Sequence, residues 1–409
     1  MFGGIMIKFG NTFVNVGGTY LKNYVGQDPY NPIGLPPRTV RVKTTDNNPP
    51  IIGSNRQSSA TVITQVPGLE GIYDVSAVKQ TTDIGFYDLF GNSYNLEKVL
   101  GVNPGDITDV AMMFQNASAL NYVRLFDTSN ITRASYMFNG CSSLNYVPDF
   151  DTRNVKRIDG MFKNCINLKK APSLNTSKAT HMNNAFENCK QCRIFPTYDC
   201  SSCLNLGYMF RYCSYLTHQA VSNTNKVKNF EYAWSNTKVS SFNGLDTTNA
   251  SSMIAMFEGT DITEIPTLNT NNVENLASIF SNCYNLTSVN NFNLGAGKYL
   301  YATFSNCHSL SSIPNYDLTN ITGMGNICYG CSSLTSVPNF SNVSNIVWAS
   351  FAFSGCVNVE SGTSALYSKL SSVSELTAYK DAFKYCGVNT EQGLLELQQI
   401  PSAWGGLGE

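Results

Sequence analysis

The residues in this chain that most resemble working chemistry are four cysteines in "CKQCRIFPTYDCSSC": Cys189, Cys192, Cys200 and Cys203. Two CxxC pairs are the grammar of a tetrahedral zinc site, because four thiolates can close around one ion. Here only seven residues, 193–199, separate the pairs, fewer than zinc-binding chains of this kind use. A second set is acidic. Asp127, Asp151, Asp199 and Asp317 recur at equivalent places and could be imagined as a carboxylate row for glycoside hydrolysis. That chemistry needs two carboxyls at a defined separation, one of them with a raised pKa. His181, His218 and His308 lie at unrelated positions with no nucleophile pattern beside them, and no glycine-rich phosphate loop is present.

A repeat accounts for most of these residues more simply. Phe90, Phe114, Phe138, Phe162, Phe186 and Phe210 are each 24 apart, and Trp234 takes the next slot. Phe257 and Phe280 follow at 23, Phe304 and Cys328 at 24, and Phe353 at 25, making twelve units between about 80 and 360. Three residues after this marker comes a small residue, usually Cys (Cys141, Cys165, Cys189, Cys213, Cys283, Cys307, Cys331, Cys356). Six after it comes Leu, and three further on an apolar residue often followed by Pro, as in Val147-Pro148. Cys189, Cys192 and Cys203 then fall in the Cys, Leu and Val slots, where a buried Cys serves as a small hydrophobe. Only Cys200, in a Thr slot, needs another account. The two short spacings come from the loss of one residue in "WSNTKV" and "FEGTDI", which predicts a turn that tolerates trimming.

Each unit predicts a short strand, a turn at "FDTSN", and a helical turn, since Val155, Ile158 and Phe162 are spaced 3 and 4. The turn Asp is expected to cap that helix. A period of 20–29 residues with Leu in register is the pattern of a leucine-rich-repeat solenoid, in which one coil cannot bury its own apolar stripe and neighbours do it together. "MFNGCSSLNYVPDFDTRNV" resembles the BspA-like leucine-rich-repeat family over about two thirds of the chain. The resemblance implies a right-handed, mostly parallel solenoid on a surface or adhesion-type protein, binding rather than catalysis, and it brings no catalytic residues. The expected fold is therefore an α/β repeat. About twelve units of 23–25 residues, each a short parallel strand plus a helical turn, follow a small N-terminal β module and precede a helical C-terminal cap.

Three regions are expected: 1–60 as the β module, 61–360 as the solenoid with a lead-in cap, and 361–409 as the C-terminal cap. "IKFGNTFVNVGGTYLK" and "RTVRVKT" alternate like strands, with a turn expected at Gly17-Gly18. "SALYSKLSS" and "TEQGLLELQQIP" have helical periodicity, and "YKDAFKYCG" keeps a relic of the unit at Phe383 and Cys386. The N-terminal pattern, "RTVRVKT" leading into repeats, and the "QQIPSAW" ending together look similar to repeat proteins of tailed phages of gut bacteria. That resemblance implies a head- or tail-fibre component, assembled in the host cytoplasm and carried on the virion. It would attach to other virion proteins through the β module, as a homo-oligomer. No secretory signal is visible at the N-terminus, in keeping with release by lysis. The alternatives are a BspA-like bacterial adhesin and, from another class, a polysaccharide depolymerase.

Net charge is -1 and only 13% of residues are charged, so a general electrostatic grip on nucleic acid is not expected. No window approaches the length of a membrane span, so no membrane insertion is expected. No enzyme activity, cofactor or metal is expected. The outward slots of the strand are the place to look for binding to host-surface glycan or protein. Seven and eight residues after the marker stand Tyr122, Tyr146, Lys169, Lys170, Arg193 and His218, aromatic and basic, whereas the later units place Ser288, Ser312 and Ser336 there.

Overall fold

The computed structural model describes residues 5–9, 12–16, 34–54, 61–77, 85–289 and 292–409. Strands β1 (Ile5–Phe9) and β2 (Thr12–Val16) pair antiparallel, Ile5 against Val16 and Phe9 against Thr12. The turn expected at Gly17-Gly18 lies outside the described residues. Strands β3 (Thr39–Thr44), β4 (Thr61–Gln65), β5 (Ile72–Ala77), β6 (Leu96–Asn103) and β7 (Tyr122–Val123) form one sheet in the order β4-β5-β3-β6-β7. Alternation in "TVRVKT" puts Val40 and Val42 in the core with Val75, Val99 and Val102. Arg41 stays on the other face, donating through Nε and Nη2 to the two Asp74 carboxylate oxygens at 2.6 and 2.7 Å. The sheet spans the residue-60 boundary. It is antiparallel up to β6 and turns parallel at β6–β7, where Lys98 pairs with Tyr122 and the coils begin.

From there the chain stacks coil on coil, and the marker rings pile in one column. Phe114–Phe138, Phe138–Phe162 and Phe162–Phe186 have centroids 5.3, 5.5 and 5.4 Å apart and nearly parallel planes. The column runs unbroken from Phe90 to Phe304, through Trp234. Cys328 interrupts it, and it resumes with Phe353, Phe383 and Trp404. Phe383, the relic, is thus a thirteenth coil. Every Leu of the Leu slot is buried beside the rings. Each such burial contributes about 1.5–3 kcal/mol, opposed by the entropy of ordering the coil.

The expected helical turn is not there: among the described residues, no α-helix occurs between 85 and 362. Val155, Ile158 and Phe162 are buried as their spacing requires, but the backbone between them is a ladder of turns. Its amides alternate. Those of Ile158, Gly160, Phe162 and Asn164 donate to the next coil, at His181, Asn183, Ala185 and Glu187, over 2.8–3.2 Å. Those of Met161, Lys163 and Cys165 close turns onto Ile158, Gly160 and Phe162. A helix would send every amide to its own i−4 carbonyl and leave none for the neighbouring coil. The alternation requires left-handed backbone two residues before and two after each marker. Both slots have positive φ in every coil, from Asp88 and Asn92 to Asp381 and Tyr385. The second slot holds seven Asn and four Gly among thirteen residues, the types that tolerate this region best.

The parallel strand shrinks to single bridges in most coils. One bridge column follows the outward slot (Lys170–Ile194, Glu264–Ser288, Ser336–Ser361). Another lies five residues before the marker, joining Asp109, Arg133, Arg157, His181, Asn205, Asn229 and Ser252, then Asn275, Tyr299, Gly323, Trp348 and Ala378. A third contains β8 (Tyr198–Asp199) with β9 (Val221–Ser222), and Asp317 with Ser341. At the far end are helices α1 (Thr363–Leu370) and α2 (Glu391–Leu397). The Glu396 carboxylate accepts from the amides of Gly362, Thr363 and Ser364, satisfying orphan donors at the start of α1. Phe383 N–H donates to the Trp404 carbonyl at 2.9 Å, so the last segment closes the ladder.

Candidate functional site

The outward slots line up as a row because amides in that row bond coil to coil: Asn121 to Glu97, Lys169 to Asn145 and Arg193 to Lys169, each at 3.0 Å. Tyr146, Lys169, Lys170, Arg193 and His218 are exposed on it, together with Ile194, whereas Tyr122 is half-buried. Two of these side chains turn onto neighbouring coils. The Arg193 guanidinium lies 3.9 Å from the centre of the Tyr215 ring, and His218 Nε2 is 3.1 Å from the Phe195 carbonyl oxygen. What remains open is a strip of mixed aromatic, basic and apolar tips on a rigid backbone.

The four cysteines of the CxxC pairs do not converge. Their thiols reach four separate carbonyls, those of Phe162, Ile194, Tyr198 and Asn205. Among the described residues no group of three or more His, Cys, Asp or Glu is placed to hold a metal ion. The Cys slot has a task of its own. Cys141, Cys165, Cys189, Cys213, Cys283, Cys307 and Cys331 each donate to the marker carbonyl of the preceding coil at 3.0–3.2 Å. All thirteen cysteines are buried and unpaired. Burial pushes the Cys192 thiol up to about 11 and Cys283 and Cys386 to about 12. Cys200 replaces a Thr in a column where Thr128, Thr152, Thr176 and Thr224 donate to the next coil at 2.8–3.0 Å. Its thiol instead points to Tyr198 in its own coil at 3.8 Å.

The acidic row closes turns rather than capping helices. Asp127, Asp151, Asp199 and Asp317 accept from the amide two residues on, at 2.9–3.2 Å. Hydrogen bonds from Arg153, Asn223 and Thr319 hold the carboxyls of Asp151, Asp199 and Asp317 below the ordinary value. A sugar-cleaving general acid needs the opposite shift.

Sequence reasoning overlooked the bridge column before the marker, most of which is half-buried while Arg133, Arg157, Tyr299 and Trp348 are exposed. At its far end stand three large half-open rings: Tyr299 (48% exposed), Tyr301 (39%) and Trp348 (42%). The signal was present as Tyr, Gly and Trp in one repeat slot at 299, 323 and 348. Nearer the middle, Tyr208, Tyr212 and Tyr232 surround Arg211, its guanidinium 5.4, 4.6 and 4.7 Å from their centres. That group is closed on itself, with Arg211 also facing Glu187. No helix among the described residues is long and apolar enough to cross a membrane.

A complete interior repeated coil after coil, under exposed columns that differ from coil to coil, defines a repeat protein built to present a surface. The profile of one family matches three overlapping stretches, residues 85–196, 173–265 and 248–366, and the chain belongs to that family, described as "Mycoplasma protein of unknown function, DUF285". The match agrees with the BspA-like repeat pattern and adds nothing for a virion role. No curated protein matches the chain.

Proposed function

We propose that this is a non-enzymatic binding protein whose exposed coil face engages host-surface glycan or protein. The observation that carries the reading is the contrast within each coil. Slots facing inward repeat and are satisfied by their neighbours, while outward tips change along the row from Tyr146 through Lys170 and Ile194 to His218. Exposed aromatics beside Arg and Lys are the residue types of recognition surfaces. The lowered carboxyls of the acidic row support a role without sugar cleavage. The test is adhesion of the purified chain to host cells and mucus. The triple variant Tyr146→Ala, Lys170→Ala, Arg193→Ala should lose most of it with an unchanged melting temperature. Undiminished adhesion would sink the proposal for this row. Release of reducing sugar from capsule or mucin, abolished by Asp→Asn changes, would replace it with the depolymerase.

The finer features belong to the same proposal: a right-handed solenoid of the leucine-rich-repeat type, and display of the BspA-like kind on a bacterial surface. A second placement, a virion head or tail fibre, is favoured by the phage-like N-terminal pattern and the β1–β2 hairpin within it. There the hairpin would dock onto other virion proteins in a homo-oligomer. Immunogold labelling separates the two, with label on cells for the first and on purified particles for the second.

A further inference from the structure

We infer that the Tyr299–Tyr301–Trp348 cluster is a separate binding site for neutral saccharide, on a different face from the Tyr146–His218 row. Tyr299 and Tyr301 belong to one coil and Trp348 to the second coil on, and Tyr299, Gly323 and Trp348 follow one another in one bridge column. The middle coil supplies no side chain at either position between them, since Gly323 and Gly325 stand there. A Cβ at Gly325 would come 3.0 Å from Trp348 Cε2, and one at Gly323 would come 3.8 Å from Tyr299 Cδ1. The rings therefore lie over bare backbone, and Trp348 reaches across the gap to stack on Tyr301, with centroids 5.1 Å apart and planes 26° from parallel. Such packing fixes ring orientation before any ligand arrives, which lowers the entropy that binding must overcome.

The next coil adds polar groups. Ala378 pairs with Trp348 in the ladder, and a hollow of about 530 Å³ opens beside it, lined by Ser350, Thr377, Tyr379, Lys380, Asp381 and Ser402. Aromatic faces with a few hydroxyl, carboxylate and ammonium groups one coil further on suit a ligand with both a C–H face and a rim of hydroxyls. A pyranose has that form, its C–H bonds meeting the negative face of the ring. Most of the nearby charge is paired off, with Lys380 outside any ion pair among the described residues, which favours a neutral sugar. Lys298 is paired with Glu274 at 3.1 Å, and Asp381 with Lys384 at 3.6 Å. A single-stranded nucleic acid also stacks on aromatics but needs a cationic groove along its backbone. A proline-rich peptide would use the rings and leave the polar hollow unused.

The test uses the full chain on an array of neutral oligosaccharides, followed by fluorescence titration with the best-retained one. Trp234 is fully buried and Trp404 is 7% exposed, so ligand-induced quenching and blue shift report on Trp348. Retention of neutral glycans is expected, with affinity falling about tenfold or more in Trp348→Ala and in Tyr301→Ala. Trp348→Phe should keep most of it. Far-ultraviolet dichroism and melting temperature show that each variant is folded. The adhesion triple variant should bind the sugar normally, so failure here and failure of the adhesion row are distinguishable. An array with no neutral glycan retained would overturn the proposal, as would full affinity in both alanine variants, or retention of a proline-rich peptide or oligonucleotide instead.

Discussion

At the scale of single residues, the Cys slot shows how a small side chain can be both core and connector. Each thiol fills a gap beside the rings and donates to the marker carbonyl one coil back, as Cys165 does to Phe138 at 3.1 Å. These thiols are all buried, and burial raises the pKa of Cys141, Cys165, Cys189, Cys213 and Cys283, which keeps those five protonated near neutrality. Treatment with a thiol-specific disulfide reagent should therefore label none of the thirteen cysteines in the native chain and all of them in denaturant. Rapid labelling of Cys192 or Cys200 in the native state would contradict the buried placement. The turn carboxylates make an opposite prediction about pH. Asp151, Asp199, Asp246 and Asp317 titrate lower in the folded chain than in the unfolded one, so the unfolded chain takes up protons first as pH falls. Their contribution is complete at neutrality, begins to decline near pH 4, about the ordinary aspartate value, and is lost as pH drops through the folded values. Melting temperature should hold level from neutrality and fall in that acid range. Asn at 199, 246 and 317 together should flatten the fall.

At the scale of the element, the unit is a turn ladder joined by short parallel bridges. Two parts of it tolerate change very differently. Between the small slot and the Leu slot lies a two-residue surface turn, Ser142-Ser143 in one coil, that the coils at Thr237 and Thr260 lack. Their Thr hydroxyls bond to the marker carbonyls of their own coil, Trp234 and Phe257, both at 2.8 Å. Inserting one residue between Thr237 and Lys238 should rebuild the longer turn with little loss of stability. The same insertion between Phe162 and Lys163 displaces every second amide from its partner in the next coil and moves the left-handed position off Asn164. That variant should lose several degrees or more in thermal melting, or fail to fold. Equal melting of the two insertions would show that the alternating ladder is not what holds the coils.

At the scale of the whole molecule, each coil touches mainly its neighbours, so stability is a sum of coils and interfaces, and the ends decide solubility. One end is sealed where β6 pairs antiparallel with β3, which in turn pairs with β5. The other is sealed by Phe383 and Trp404, whose rings stand 6.3 Å apart over the last coils. Removing residues 379–409 would leave the Phe353 ring and the amides of its turn without cover. The shortened chain should associate, seen as an increase in mass by light scattering, while a point change on the outer face such as Tyr146→Ala should remain at the size of the parent.

Sequence alone determined the period, the marker, Cys and Leu columns, and the reading of Cys189, Cys192 and Cys203 as parts of that period. These are legible because burial repeats with the chain: a coil that must cover its neighbour's ring needs the same side chain at the same slot. Spacing of 3 and 4 at Val155, Ile158 and Phe162 likewise reported which side chains go inside. It could not report the backbone path, since a helix and a ladder of turns can bury the same positions. Only the tertiary structure decided between them, because the choice depends on where alternate amides find acceptors, and half of those acceptors lie in the next coil. The Asn and Gly residues two positions after the marker were the available clue. The Tyr299–Trp348 cluster was hidden for the same reason. Tyr301 and Trp348, 47 positions apart in the chain, become neighbours only when the coils are stacked and the glycine between them leaves room.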